Sequence, residues 1–250
     1  MILILRGHIR SSFENTFLRD WVEELSRIYP IRIFIHTWNI YQNNLCWRSM
    51  HEDRREVTEN TIYEYFGDLQ RYIQKIIIDD DSQINISGNT EGFVGITKAP
   101  LRGWKNYWYG QYAIVKYISE TLTGSPGIEH ECVVNTRFDL FNNSNSASKE
   151  NIQSLISQSL YLGVSMTKDE LTFMHRGEVN MGLDNFFMGR LSIMYSMLLH
   201  FNFHLDDIIL RYPSEHHQEY FIFYENERLF GKETRRAGSH LKNLAFGLNK

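Results

Sequence analysis

The first apolar positions run without a break, Ile2-Leu3-Ile4-Leu5, and stop at Arg6-Gly7-His8. A short continuous apolar run ending in polar residues and a glycine is the pattern of a strand buried on both faces. From Ser12 the spacing changes. Phe13, Phe17, Trp21, Leu25 and Ile28 recur every three or four residues until Tyr29-Pro30, which predicts a helix. Ile31-Arg32-Ile33-Phe34-Ile35-His36 predicts a second strand, which opens into Thr37-Trp38-Asn39.

The alternation continues with a helix over Glu59–Gln74 and a strand over Lys75–Asp79 that finishes in Asp79-Asp80-Asp81. Residues 82–100, with Gly88, Gly92, Gly95 and Pro100, predict an extended loop placed to close over a ligand. Trp108, Tyr112, Val115, Ile118 and Leu122 predict a helix over Trp104–Leu122, ended by Thr123-Gly124-Ser125-Pro126-Gly127. A fourth strand, Cys132–Thr136, leads into Arg137-Phe138-Asp139 and then a polar surface tract, Asn142–Ser148. Beyond it the pattern predicts a short helix near 149–158, a strand over Leu160–Ser165 and a helix from about Asp184 to Phe201.

Strands alternating with helices predict an α/β fold with a parallel sheet. No repeat or biased linker divides the chain, so residues 1–250 form one expected domain. Open sheets of this kind bind ligands beyond the carboxyl ends of their strands. Arg6-Gly7, His36–Trp38, Asp79–Asp81 and Arg137–Asp139 all fall at such ends.

Composition narrows the functional classes. A content of 42% hydrophobic and 22% charged residues suits a globular core, and a net charge of −4 supplies no field to hold a nucleic-acid backbone. Nucleic acid is therefore not an expected partner. Cys46 and Cys132 make neither a disulfide framework nor a four-ligand zinc site and suit a reducing cytosol. The N-terminal apolar run is too short for a signal peptide, and no run approaches the ~20 residues needed to span a bilayer. The expectation is a cytoplasmic protein whose membrane contact is peripheral.

Candidate chemistry gathers at the strand ends. Asp139 offers the hard oxygen that Mg2+ or Mn2+ prefers, and Arg137 beside it can neutralise a diphosphate. The alternative is a solvated ion pair without function. Asp184, before an apolar periodic run, suits a helix cap or a general base that deprotonates an acceptor hydroxyl. His36 and Trp38 present a donor and an aromatic face to a base or sugar, unless Trp38 is simply core. Adjacent aspartates point in alternate directions, so Asp79-Asp80-Asp81 predicts an acidic turn rather than a metal site. His216-His217 lack companion ligands. Glu215 suits an acceptor contact or a helix N-terminus. Trp104, Tyr107, Trp108, Tyr109 and Tyr112 divide between core and sugar stacking.

Taken in order, Arg6-Gly7-His8-Ile9-Arg10, Phe34-Ile35-His36-Thr37-Trp38, Thr136-Arg137-Phe138-Asp139 and Asp184-Asn185-Phe186-Phe187-Met188-Gly189 resemble the motifs of bacterial surface-polysaccharide glycosyltransferases. Together they span roughly residues 1 to 220. The resemblance implies a GT-A-like single domain with an open, mostly parallel Rossmann-like sheet flanked by helices. It implies a nucleotide-sugar-binding half over about 1–140 and an acceptor-side half over about 141–250. It also implies a nucleotide-sugar donor, a glycan or lipid-linked glycan acceptor of capsule or lipopolysaccharide type, and a place at the inner face of the inner membrane. By the same resemblance Arg6, Gly7, Arg10, His36, Trp38, Arg137 and Asp139 bind the donor, Asp139 holds a divalent cation, and Asp184 acts on the acceptor. The usual metal motif of such enzymes has two acidic residues. Here Arg137 stands in that motif, and the expectation is that it takes over part of the cation's charge.

Overall fold

The computed structural model describes residues 1–45, 51–94, 98–128, 131–141, 157, 172–175, 182–214, 218–230 and 236–237. The chain begins with β1 (Ile2–Arg6), a 3-10 turn (Ser12–Glu14), α1 (Phe17–Ile28) and β2 (Arg32–Trp38). A hairpin of β3 (Ile40–Gln42) and β4 (Asp53–Glu56) precedes α2 (Glu59–Phe66), a 3-10 helix (Gly67–Tyr72) and β5 (Ile73–Asp79). A second small hairpin, β6 (Phe93–Val94) and β7 (Ala99–Pro100), leads into α3 (Leu101–Leu122), β8 (Cys132–Arg137) and a 3-10 turn (Phe138–Phe141). Then follow β9 (Thr172–His175), β10 (Gly182–Arg190), α4 (Leu191–Arg211), α5 (Gln218–Phe230) and β11 (Arg236–Ala237).

The main sheet has the order β11-β9-β10-β8-β1-β2-β5 among the described residues. β1 runs parallel to β2 and β8, and β2 runs parallel to β5. β10 is antiparallel to both β8 and β9, so the sheet is mixed and mostly parallel, within an α/β architecture flanked by helices.

Side-chain alternation along the central strands builds two cores. Ile2, Ile4, Phe34 and Val133 pack with Trp108 of α3, Met194, Met197 and Phe201 of α4, and Phe221 of α5. Leu3, Leu5, Ile33, Ile35 and Val134 pack on the other face with Leu18, Trp21, Val22 and Leu25 of α1 and Ile62 and Phe66 of α2. Both faces of β1 are dry, which is why its sequence shows no polar alternation. Each fully buried aliphatic side chain contributes roughly 1.5–3 kcal/mol relative to its exposed state.

Four local expectations change. The helix expected from Ser12 divides, because Asn15 is extended and its Oδ1 accepts from Phe17 N–H at 3.0 Å. Its apolar stripe also ends early, with Ile28 69% exposed. The helix expected to reach Gln74 stops at Phe66, where Gly67 enters the left-handed region at φ +54°. The helix expected from Asp184 begins only at Leu191; residues 182–190 form β10, with Phe186 and Met188 buried opposite Thr136 and Val134. Asp184 therefore caps no helix.

The tract at 142–148, the strand expected at 160–165, Cys46, Gly95, Glu215, His216 and His217 lie outside the described residues, as does the helix near 149–158 apart from residue 157. Among the described residues no helix is long and apolar enough to cross a membrane.

Candidate functional site

Parallel register places Arg6 beside His36 on one side and Arg137 on the other, at the carboxyl edge of the sheet. Two guanidiniums on neighbouring strands repel unless an anion lies between them. Asp139 supplies one. Arg137 Nε donates to its Oδ1 at 2.7 Å and Nη2 donates to its Oδ2 at 2.5 Å, a two-pronged contact. Arg10 Nη1 donates to the same Oδ2 at 2.5 Å. Burial pushes the Asp139 carboxyl up, but Arg137, Arg10 and Arg6 outweigh it and hold the group down to about 2. Asp139 is thus ionised at neutral pH although only 7% exposed.

The local backbone brings these groups together. Gly7 takes φ +90°, which lets its N–H donate to His36 O at 3.1 Å while its carbonyl accepts from Thr37 Oγ1 at 3.0 Å. Arg10 sits at φ +54°, an unusual region for a long side chain, and its N–H donates to Tyr41 O at 2.9 Å. Arg6 is buried. Its Nε donates to Asn135 Oδ1 at 2.7 Å, and its guanidinium lies 4.7 Å over the Tyr107 ring. Asn135 Nδ2 donates in turn to Gln111 Oε1 at 3.1 Å, and Gln111 Nε2 to Tyr107 O at 3.1 Å. One helix, α3, thereby sets Arg6 from two directions.

His8 stacks on Trp38 with ring centres 5.9 Å apart. Burial first, then Arg10, pull its imidazole down to about 3 against the raising effect of Asp139, so His8 is neutral at pH 7. His36 lies deeper, 1% exposed, with Nε2 3.1 Å from Asp79 Oδ2 and its ring edge-on to Trp38 at 5.0 Å. A hydrogen bond from His36 draws the Asp79 carboxyl down despite burial, with a further bond from the Tyr109 hydroxyl. Burial and the Asp79 charge push Tyr109 up to about 12. The aspartates after β5 do not converge: Asp79 faces His36, Asp80 accepts from Ser82 N–H at 2.8 Å, and Asp81 accepts from Asn43 Nδ2.

A cleft of about 160 Å³ opens on this edge. Of the residues singled out in the sequence, Arg6, Gly7, Arg10, Trp38 and Arg137 line it, as do Trp104 and Tyr107 of the aromatic stretch. Asp139 holds two of those arginines without lining the cleft, and His36 supports Trp38 in the same way. The Asp184 side chain lies outside the described residues. Its backbone comes two residues before Phe186, the partner of Thr136, which carries it to the edge that holds Arg137.

His8 and Asn106 also line the cleft and were not among the binding residues expected from the sequence. Asn106 had one visible signal: with Lys105 it interrupts the apolar pattern of α3 with two polar residues, and both are 4% exposed. Of the aromatic stretch, Trp108 is fully buried, Tyr107 carries Arg6, and Tyr109 serves Asp79.

Chemically the cleft suits an anion. Three guanidiniums line it, and so does the first turn of α3 through Pro100, Gly103 and Trp104, the end of a helix that favours negative charge. Asp139 as arranged does not fit a cation ligand, since both oxygens accept from guanidiniums whose charge opposes a metal. Among the described residues no group of three His, Cys, Asp or Glu side chains is gathered as a metal site. No family model matches the chain, and no curated protein matches it significantly.

Proposed function

We propose that the chain is a glycosyltransferase of GT-A-like organisation that moves a sugar from a nucleotide-diphosphate donor to a hydroxyl of a growing surface glycan. The observation that carries this proposal is the arginine clamp: Arg6, Arg10 and Arg137 line one cleft at the carboxyl edge of a mostly parallel sheet, with Arg10 and Arg137 bound to Asp139. In the transfer the acceptor oxygen forms a bond to the sugar's anomeric carbon as the bond to the donor phosphate breaks. The electron pair leaves with the nucleoside diphosphate. Guanidiniums fixed beforehand around that diphosphate stabilise the growing charge without reorganising, the kind of electrostatic help that dominates many enzyme rate enhancements. Arg137 and Arg10 supply charge that a divalent cation provides in related chemistries.

Asp184 takes the acceptor proton in this scheme, as a general base for an inverting transfer. What supports it is the register of β10, which brings the Asp184 backbone to the edge that bears Arg137. The acceptor is a glycan or lipid-linked glycan of capsule or lipopolysaccharide type, on the strength of the motif order in the sequence. A second reading, a nucleotide-binding partner subunit without transfer, draws support from Asp139, whose two oxygens are already engaged by arginines.

Mass spectrometry of products separates these. The purified chain is incubated with a panel of nucleotide sugars and oligosaccharide acceptors. A glycosylated acceptor that disappears in Asp184→Asn and Arg137→Gln supports transfer. Donor binding with neither transfer nor hydrolysis supports the silent subunit, and a nucleotidylated or phosphorylated product contradicts both.

A further inference from the structure

Of the buried amide and ammonium side chains of α3, Lys105, Asn106 and Gln111, two are satisfied and the third, Asn106, faces the cleft. Lys105 donates to Ser87 O at 2.7 Å and to Asp206 Oδ2 at 2.8 Å. Gln111 uses both ends of its amide, accepting from Asn135 and donating to Tyr107 O. Asn106 stands between them, 4% exposed and lining the cleft, yet neither Oδ1 nor Nδ2 has a hydrogen-bond partner among the described residues. His8 Nε2, also in the cleft lining, is buried without a partner as well. A buried carboxamide unsatisfied at both ends weakens the fold, and native proteins retain such a group where something else completes it.

The chemistry of Asn106 says what would complete it. A carboxamide presents one acceptor and one donor side by side in a plane. Fully ionised phosphate oxygens only accept, so the anion held by the arginines leaves Asn106 Oδ1 unmet. The edge of a nucleobase offers a donor and an acceptor together, the pairing through which Asn and Gln read bases in nucleic acids. Trp38, Trp104 and Tyr107 line the same cleft and give it aromatic walls suited to a flat ring.

We propose that Asn106, assisted by His8, reads the base of a nucleoside diphosphate whose phosphates rest on the arginine clamp. This assignment rests on the diphosphate reading of the clamp and deepens it: it makes Asn106 the residue that selects a nucleotide over a bare diphosphate.

Calorimetric titration of the full chain in EDTA tests it, with pyrophosphate, a hexose 1-phosphate and the diphosphates of uridine, guanosine, cytidine and adenosine as probes. At least one nucleoside diphosphate binds about tenfold or more tighter than pyrophosphate. In Asn106→Leu, close in shape and apolar, that ratio falls to about one, while the melting temperature without ligand equals or exceeds the wild-type value. A purely structural Asn106 would lower it instead. Asn106→Asp, which keeps the shape and loses the donor, also collapses the ratio and serves if the leucine variant does not fold. The proposal is overturned if wild type does not distinguish nucleoside diphosphates from pyrophosphate, if both variants keep the preference, or if Asn106→Leu weakens the hexose phosphate alone. Loss of pyrophosphate binding in wild type would overturn the clamp reading, and this assignment with it.

Discussion

Arg10 donates to Asp139 at 2.5 Å although the two lie 129 residues apart in the chain. The contact joins the loop after β1 to the turn after β8 and accompanies an Arg10 backbone in the left-handed region. With Arg137 on the same carboxylate, Asp139 serves as an internal counter-ion that orders guanidiniums at a cleft before any ligand arrives. Preorganisation of this kind lowers the entropy lost on binding.

Removal of that counter-ion has a defined pH signature. The Asp139 carboxyl is held from its ordinary 3.8 down to about 2, so the native state favours its ionised form. Its contribution, on the order of 2 kcal/mol, is fully present above pH 4 and is lost as pH falls from about 4 toward 2. Urea unfolding across pH 2–7 is expected to show Asp139→Asn less stable than wild type at pH 7. The gap closes toward pH 2; a gap independent of pH would contradict the ionised pairing.

His8 gives the complementary case. Its imidazole is lowered from 6.5 to about 3, so the unfolded chain binds the extra proton between those values. Native stability therefore falls as pH drops through 6.5 and goes on falling toward 3, and this slope is absent in His8→Gln. The His8 ring signals in NMR are expected to stay those of neutral imidazole from pH 8 to pH 5. An imidazolium midpoint near 6.5 would remove His8 from the buried cationic environment described here.

Much of the fold is legible in the sequence for a simple reason. The runs at 2–5, 31–36 and 132–136 are apolar enough to be buried on both faces, or nearly so, the run at 75–79 forms the half-buried edge strand, and all four pair in parallel. The same logic misleads at 184–201. In the sequence Phe187, Leu191, Met194, Leu198 and Phe201 fit one continuous helical spacing, and only pairing with β8, some fifty residues earlier, selects a strand for the first part. The site shows the same division. Arg6, Gly7, Trp38 and Arg137 are found because strand ends converge in an open α/β sheet. Arg10 and Asp139 both came with the motif order, but their pairing did not, since a loop residue at positive φ has no periodicity to betray its direction. Asn106 is visible as a polar break in an apolar helix, whereas its lack of partners is a property of packing alone.

Gly110 of α3 controls the support beneath Trp38. A Cβ there would lie 2.5 Å from both Nδ1 and Cε1 of His36, whose ring is enclosed and cannot yield cheaply. Gly110→Ala is expected to destabilise the protein by about 1–3 kcal/mol in chemical unfolding, although alanine favours helix elsewhere. A stabilised Gly110→Ala would show that α3 and β2 pack less closely than the structure has them.

The clamp itself is tested most directly by titration of a nucleoside diphosphate into wild type, Arg10→Gln and Arg137→Gln, each in EDTA and again with Mn2+. Arginine-based recognition gives binding in EDTA, a loss of about tenfold or more in each variant, and a smaller change on adding Mn2+. Binding that is absent in EDTA, restored by Mn2+ and indifferent to either arginine would contradict it.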